Sequence, residues 1–298
     1  MRIAISGSSG LIGSALTQHL RERGDEVVHL VRRTPRAEHE RQWDPSSKHL
    51  DPEVLADCDG VVSLHGAGIG DKRWTPAYKR EVLTSRTYGT TAIATALATL
   101  AGRGHAVRWV SGSAVGIYGT RGEEPLDEDS APGQGFLTEV VVAWERATQP
   151  AQDAGVPVAH LRTGIVLSPS GGAMKPLLLM LRLGVGGPFG RGRAWWPWIT
   201  LHDVVRATTF LLDHPEVTGP VNLAAPAPAR QRAVVTAIGR AMHRPAIVPV
   251  PPPALRIVVG EFADDILASQ RVEPRVLLEA GFSFDHATLE AAAAWMTR

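Results

Sequence analysis

The chain has 298 residues, of which 44% are hydrophobic and 20% charged, and its 31 basic and 30 acidic side chains leave a formal charge of +1. This balance excludes a strong general attraction to nucleic acid or to a membrane surface, and no apolar run reaches membrane-spanning length. The single cysteine, Cys58, excludes an intramolecular disulfide and a multi-cysteine zinc site. Because the sequence enters an apolar strand directly, without a signal-peptide pattern, we expect a cytoplasmic protein.

The first strand, residues 2–5, leads into a glycine-rich turn, and an apolar helical stripe follows as far as Arg23. A second strand is predicted at 26–31, so strand, turn, helix and strand form a βαβ unit whose bare main chain suits a pyrophosphate. Gly7 permits the tight turn, Gly10 leaves room for phosphates, and Gly13 lets the helix approach the strand. The alternative is an ordinary βα turn that contains glycines. The predicted cofactor-binding residues of this turn are Gly7, Ser8, Ser9, Gly10, Leu11, Ile12 and Gly13.

The end of the second strand indicates which dinucleotide binds. An NAD site usually has Asp or Glu about 20 residues past the glycines, where it accepts a hydrogen bond from the ribose 2′-hydroxyl. Here that place holds Arg32 and Arg33, and guanidinium groups favour a phosphate dianion. We therefore predict NADP(H), with Ser8 and Ser9 as further donors to the 2′-phosphate. The alternative is a solvated basic strand end.

Short apolar, β-branched runs at 61–64, 107–110 and 158–161 predict further strands that are buried on both faces. Helical patterns lie between them, from Tyr78 to Leu100 and from Phe136 to Ala154. This alternation predicts an α/β fold with a doubly wound parallel sheet of the Rossmann type. Ligands of such sheets bind beyond the C-terminal ends of the strands, so the residues that follow each strand are the first candidates for chemistry.

The second half of the sequence is more broken, with a glycine-rich segment at 184–192 and proline-rich connections at 226–228 and 249–253. A terminal helix is predicted from Ala287 to Met296. We predict an NADP-binding domain over residues 1–165, whose core also receives later segments near 195–225. Residues 166–298 then form mainly a smaller C-terminal α/β lobe that binds the substrate.

The residues named so far resemble the short-chain dehydrogenase/reductase superfamily, extended type. The cues are the Gly-x-x-Gly-x-x-Gly spacing at 7–13, the turn at 65–68 and the segment from Ser111 to Gly119. More narrowly, the chain resembles the atypical epimerase-family proteins related to nucleotide-sugar epimerases. Their pattern is echoed at 71–74, 85–86, 144–145, 162–167 and 198–199. Their small C-terminal domain of unknown role is echoed at about 245–295.

The resemblance implies further cofactor contacts after the predicted strands. A turn of small residues would pass under the nicotinamide ribose, Ser111 would lie near the nicotinamide, and the backbone around Gly164 to Val166 would face the carboxamide. The residues implied in this way are His65, Gly66, Ala67, Gly68, Ser111, Gly164 and Val166. For Arg162 we favour a structural role near the sheet end.

Typical superfamily members carry Tyr-x-x-x-Lys on the helix after the fifth strand, where the lysine lowers the tyrosine pKa for proton transfer. This chain has Phe136 and Val140 in one register and Leu137 and Val141 in the next. Two other side chains are candidates for catalysis: Ser113 matches the family serine that donates to a substrate carbonyl, and Tyr118 carries a phenol. The alternative for Tyr118 is packing within its loop.

Several other polar and aromatic groups admit two interpretations each. A basic group could bind an anionic substrate or lie on the surface: Lys72, Arg73 and Arg86. A tryptophan cluster could form a substrate floor or pack between the lobes: Trp195, Trp196 and Trp198. Glu139 and Glu145 are expected to be solvated or structural. The eleven histidines include no pair at i, i+4 spacing, so we expect no metal site.

Two functions follow from these patterns. The first is an NADP(H)-dependent oxidoreductase or epimerase-like enzyme with a nonstandard proton donor and a small-molecule substrate that resembles a nucleotide sugar. The second is a non-catalytic NADP(H)-binding sensor or regulatory module, which an intact glycine turn without the Tyr/Lys pair would suit. Neither involves nucleic acid or a membrane, and by analogy with the superfamily the protein is expected to be a monomer or homodimer.

Overall fold

Strands and helices are interspersed along the chain in the computed structural model, which describes residues 1–169 and 171–297. The strands are β1 Arg2–Ser6, β2 Glu26–Val31, β3 Glu40–Gln42, β4 Gly60–Ser63, β5 Arg108–Ala114, β6 Pro125–Leu126, β7 Val158–Thr163, β8 Ile165–Leu167, β9 Trp195–Trp196, β10 Trp198–Thr200, β11 Gly219–Leu223, β12 Ala229–Arg230 and β13 Arg271–Val272. The α-helices are α1 Leu11–Arg23, α2 Pro76–Gly102, α3 Phe136–Arg146, α4 Gln149–Asp153, α5 Lys175–Arg182, α6 Leu201–Asp213, α7 Gln231–Ala241, α8 Pro252–Val259, α9 Phe262–Ile266, α10 Arg275–Glu279 and α11 Leu289–Met296. Short 3-10 helices lie at Pro52–Val54, Val115–Tyr118 and Gly172–Met174.

Within the described residues, seven strands form one parallel sheet in the order β11-β7-β5-β4-β1-β2-β3. The strand order reverses between β1 and β4, which is the point where ligands of such sheets bind. The expected doubly wound parallel sheet is therefore confirmed. The βαβ unit at the start of the chain has the predicted bounds, with α1 over Leu11–Arg23 and β2 over Glu26–Val31.

The hydrophobic core lies on both faces of this sheet. Successive residues of β1 point to opposite sides: Ile3 and Ile5 join the cluster under α1 and α6, while Ala4 joins the cluster under α2. All three side chains are fully buried. The helices therefore cover the sheet on both sides and leave its C-terminal edge for a ligand. Within the residues described, no helix is long and apolar enough to cross a membrane.

A third apolar cluster belongs to the later part of the chain, where α5, α7 and α11 pack around Trp196 and Trp198. These two tryptophans are buried. They therefore pack in the core of this region and do not form an open floor for a substrate. Three short strand pairs frame this region, β8 with β10, β9 with β12 and β6 with β13. Strand β11 returns to the edge of the main sheet beside β7.

The prediction of one continuous helix after β5 is wrong. The pattern from Phe136 to Ala154 predicts a single helix, but the structure has two, with a break between Arg146 and Gln149. Pro150 explains the break, because its ring clashes with the carbonyl four residues earlier and it has no N–H to donate. It is accommodated near the start of the second helix, where a free N–H is not needed.

Candidate functional site

Two of the three glycines in the first turn are required by the protein itself. Gly7 has φ +74°, and a Cβ there would lie 2.7 Å from the carbonyl carbon of Leu64. A Cβ on Gly13 would lie 2.2 Å from the carbonyl oxygen of Gly7. The tight turn and the close approach of α1 to β1 therefore both depend on glycine, as the spacing predicts.

Gly10 is different, because a Cβ there would meet a single close contact, which is longer than those at Gly7 and Gly13. A Cβ at this position would come no nearer than 3.3 Å to the described atoms outside its chain neighbours, at the carbonyl of Gly7, and the residue is exposed. It is the N-cap of α1, with no side-chain cap and no acidic residue in the first turn. The first N–H groups of such a helix lack intrahelical partners and attract anions. These features together fit a phosphate group against bare main chain.

The two arginines after β2 are not equivalent. Arg33 donates to both carboxylate oxygens of Glu40 at 2.7 and 2.6 Å. These hydrogen bonds, with a further one from the backbone of Arg36, lower the pKa of Glu40 to about 2. Arg32 is exposed and forms no ion pair with any described residue. Arg32 is therefore the more available cation for an anionic ligand, while the charge of Arg33 is balanced by Glu40.

The turn after β4 is fastened to helix α2. Ser85 accepts a hydrogen bond from the N–H of Ala67 at 3.0 Å, and Arg86 donates to the carbonyl of Ala67 at 2.9 Å. Burial lowers the pKa of Arg86 to about 10, and its guanidinium lies 5.2 Å from the ring of Trp144. Among the described residues it has no carboxylate partner, so it places an uncompensated positive charge beside this turn.

His65 lies at the start of the same turn and is partly buried. Its Nδ1 is 2.8 Å from Ser6 Oγ, and its ring makes an edge contact with Trp43 at 4.9 Å. Burial lowers the pKa of His65 to about 4, so the ring is neutral at neutral pH. Its Nε2 is buried without a partner among the described residues. A cofactor contact for His65 stays a prediction.

A buried polar network lies at the ends of β5 and β7. Ser113 and Arg162 are paired residues of these adjacent strands, and Glu145 reaches both from α3. Arg162 forms a double hydrogen bond to Glu145 at 2.9 and 3.0 Å, and Ser113 donates to the same carboxylate at 2.6 Å. Burial alone would raise the pKa of Glu145, but the bonds and charge of Arg162 outweigh it and leave that pKa lowered. Arg162 therefore has the structural role that the sequence favours.

Tyr118 belongs to this network rather than to an open site. Its side chain is fully buried. Its hydroxyl donates to Asn222 at 2.7 Å and accepts from Arg162 at 3.0 Å. Burial raises the pKa of Tyr118 above its ordinary value, because it outweighs the opposing effect of the Arg162 charge. Proton transfer from this phenol to a substrate would require the network to open, so the geometry fits the alternative of packing within the loop.

Three other residues expected near the cofactor have roles within the protein. Ser111 is fully buried, and its hydroxyl lies 3.4 Å from Ser63 Oγ. The N–H of Gly164 donates to Leu223, and a Cβ on Gly164 would lie 2.1 Å from the carbonyl of Pro197. Val166 is half-buried against the core. Of these three, Ser111 is inaccessible, whereas Gly164 and Val166 are both partly exposed and retain surface that a ligand could reach.

The C-terminal segment holds the loop that carries Tyr118. Gln270 donates from its side chain to the carbonyls of Val115 and Gly119 at 3.1 and 2.9 Å. The β6–β13 pair joins the same two regions through Arg271 and Pro125. The loop after β5 is thus fixed by residues far along the chain, a contact for which the sequence carries no local signal.

Two groups of histidine and carboxylate side chains lie close enough to share a metal ion. They are His29, His39 and Glu40, and His202, Asp203 and His286. Glu40 is already held by Arg33. Asp203 accepts hydrogen bonds from the backbone N–H groups of residues 285 and 286 at 2.9 and 3.0 Å. These carboxylates have structural partners, and the expectation of no metal site stays a prediction.

The sheet order, the glycine turn and the uncapped helix define a dinucleotide-binding protein of the Rossmann class. Comparison with known sequences agrees: residues 3–224 match the model of the NAD dependent epimerase/dehydratase family, and residues 250–296 match a domain of unknown function, DUF1731. The chain belongs to the NAD dependent epimerase/dehydratase family. The predicted resemblance is therefore confirmed, including a small C-terminal domain of unknown role.

Relatives and solved structures cover nearly all of the chain. It is 43% identical over 296 residues to epimerase family protein Mb2239 of Mycobacterium bovis, covering 99% of this chain and 97% of that protein. The crystal structure of human epimerase family protein SDR39U1 with NADPH is similar over 100% of this chain and 99% of its own, with TM-score 0.87 and 31% identity. A nucleoside-diphosphate sugar epimerase from Corynebacterium glutamicum is 34% identical, with TM-score 0.81, and the match covers 100% of this chain and 58% of that chain.

Proposed function

We propose that this protein binds NADP(H) at the glycine turn and uses it as an oxidoreductase or epimerase-like enzyme. The observation that carries the proposal is Gly10, whose main chain is exposed at an uncapped helix N-terminus. The proposed cofactor-binding turn also includes Gly7, Ser8, Ser9, Leu11, Ile12 and Gly13. The bound dinucleotide would supply hydride chemistry, while the chain binds and orients it.

The preference for NADP(H) over NAD(H) rests on the strand end. Arg32 has no acidic partner among the described residues and can meet a 2′-phosphate, with Ser8 and Ser9 as neighbouring hydroxyl donors. The neighbouring carboxylate of Glu40 is already paired with Arg33 at 2.6 Å. The NADPH in the human SDR39U1 structure, at 31% identity, supports the same choice.

The substrate is proposed to be a small molecule resembling a nucleotide sugar. The name of the Corynebacterium glutamicum protein, which is 34% identical, supports that class. Ser113 is the proposed contact near the reacting end. Because its hydroxyl hydrogen is committed to Glu145, Ser113 would accept a hydrogen bond from a substrate hydroxyl rather than donate one to a carbonyl. Cytoplasmic location and a monomeric or homodimeric state belong to the same proposal.

A second candidate function is an NADP(H)-binding sensor without turnover. Two observations favour it: α3 carries Leu137 and Val141 where a catalytic tyrosine and lysine would stand in one register, and the phenol of Tyr118 is buried in a hydrogen-bond network. Both functions require the same dinucleotide site, so they differ only in chemistry.

Binding is tested by titrating NADPH and NADH into the purified protein while following nicotinamide fluorescence. Gly10→Ala is expected to weaken NADPH binding at least about tenfold, since one lost contact to a charged phosphate costs about 1.5 kcal/mol or more. Its melting temperature should stay near that of the wild type. Gly102→Ala is the matched control, because a Cβ at Gly102 meets nothing within 4 Å. Wild-type protein that ignores NADPH, or prefers NADH, contradicts the proposal.

Turnover separates the two functions. NADPH oxidation and product formation are measured against a panel of carbonyl compounds and nucleotide sugars. Activity that disappears in Ser113→Ala, in a variant that still binds NADPH, supports the enzyme. Tight NADPH binding with no turnover across the panel supports the sensor.

A further inference from the structure

A cavity of about 1010 Å³ lies in the later part of the chain, between the loop before β9, strand β12 and helices α7 and α11. None of the residues that line it belongs to the glycine turn or to the network around Ser113. Five of its fourteen lining residues are arginines: Arg191, Arg193, Arg230, Arg232 and Arg240. The only acidic residue among the described lining residues is Glu290.

This concentration of positive charge is local. The whole chain has a formal charge of only +1, so a general excess of basic residues does not account for five arginines at one cavity. Only Arg230 has a carboxylate partner in the described part of the chain, Glu123, at 2.8 Å. The other four arginines are exposed and form no ion pair with a described residue. Like charges gathered without counter-ions repel one another, and a bound polyanion relieves that repulsion.

The arrangement on α7 places two of these cations on one stripe. Arg232 and Arg240 are eight residues apart, with Thr236 between them at i+4, so the three side chains share a helix face. The opposite face is buried through Val234 and Ile238. The cationic stripe therefore faces the cavity because the apolar stripe is committed to the core.

An aromatic ring completes the wall. Trp195 donates from Nε1 to Glu123 at 2.9 Å, which fixes the orientation of its indole. The guanidinium groups of Arg230 and Arg271 lie 4.5 and 5.3 Å from its ring. The ring and its attached cations thus form a preorganised surface, which reduces the entropy lost when a ligand binds.

We propose that this cavity binds a small anion that carries two or more phosphate groups, separately from the dinucleotide at the glycine turn. Guanidinium groups match phosphate oxygens with paired, charge-assisted hydrogen bonds. The volume lies at the upper end of the range for small-ligand pockets, roughly 300–1,000 Å³, so it accommodates more than one phosphate group.

The test is calorimetric titration of inorganic tripolyphosphate into protein already saturated with NADPH, so that the glycine turn cannot contribute. Arg232→Gln/Arg240→Gln is expected to weaken binding about 10- to 100-fold, because each lost charged contact is worth roughly tenfold. Arg21→Gln/Arg146→Gln is the matched control, since both are exposed arginines without described ion pairs and lie outside the cavity. It should bind tripolyphosphate like the wild type.

Saturable one-to-one binding that is lost in the cavity variant and kept in the control supports the proposal. No binding at millimolar tripolyphosphate, or equal weakening in both variants, overturns it. A short polyglutamate peptide that binds the cavity more tightly than tripolyphosphate also overturns it, because the site would then select an acidic peptide. Should the protein fail to bind NADPH, the same titration without NADPH still tests the cavity.

Discussion

The buried pair of Glu145 and Arg162 offers the sharpest test of what holds the candidate site together. Glu145→Gln keeps the shape of the side chain but removes the charge that faces Arg162. The two side chains are only 14% and 8% exposed, so the guanidinium would be left without a counter-ion away from water. Breaking such a pair from one side costs about 3–5 kcal/mol. The amide oxygen can still accept from Ser113 and from Arg162 Nε, while the hydrogen bond from Arg162 Nη2 to the second oxygen is lost. We therefore expect about 3 kcal/mol, at the lower end of that range.

The measurement is urea unfolding followed by circular dichroism, with the midpoint and slope fitted for each variant. Glu53→Gln is the matched control, because the Arg103–Glu53 pair is 50% and 67% exposed and should contribute less than about 1 kcal/mol. Arg162→Gln and the double variant complete a cycle whose coupling energy should exceed that of the surface pair. A loss of under about 1 kcal/mol for Glu145→Gln would refute the reasoning.

The same pair makes stability depend on pH. The pKa of Glu145 in the folded protein is lowered from its ordinary value of 4.5. The stabilisation is therefore fully present above about pH 4.5 and declines as the pH falls through the folded-state pKa. Glu145→Gln should show a weaker acid dependence than the wild type in the same urea assay.

Three further changes follow from contacts in the structure. Gly89→Ala should lower the melting temperature, because its Cβ would lie 2.3 Å from His65 Nε2, and an unchanged value would contradict that packing. NMR titration should place the pKa of Glu40 at about 2; the stabilisation it provides exists above about pH 4.5 and declines towards pH 2, and Arg33→Gln should return the pKa towards 4.5. Tyr118→Phe should cost about 1–3 kcal/mol in urea unfolding, because its buried partners lose their hydrogen bonds; if turnover is found, the variant should retain it.

Much of the fold is legible in the sequence because its signals are local. In the first βαβ unit, helix α1 is bounded by Gly10 and Gly24, and its apolar residues recur at helical spacing. The predicted bounds of α1 and β2 therefore agree with the structure. The break after Arg146 was also encoded locally, in Pro150. The apolar pattern of that segment continued through it, so periodicity alone predicted one helix where backbone sterics required two.

The candidate site is less legible because it is assembled from distant residues. Ser113 and Arg162 become neighbours only through the register of two parallel strands, and Glu145 joins them from the intervening helix. Periodicity within one segment carries no information about such a register. The glycine turn is a local feature, and there the separate roles predicted for Gly10 and Gly13 agree with the structure, in which a Cβ on Gly13 would lie 2.2 Å and one on Gly10 3.3 Å from the carbonyl oxygen of Gly7.

The pairing of β6 with β13 also constrains how this protein is made. Ser269, beside β13, donates to the carbonyl of Gly122 across 147 residues of chain. During synthesis, the segment around Gly122 therefore stays without its partner until the chain around Ser269 has emerged from the ribosome. Such long-range closure slows folding, so this segment is where we expect synthesis to depend most on chaperones.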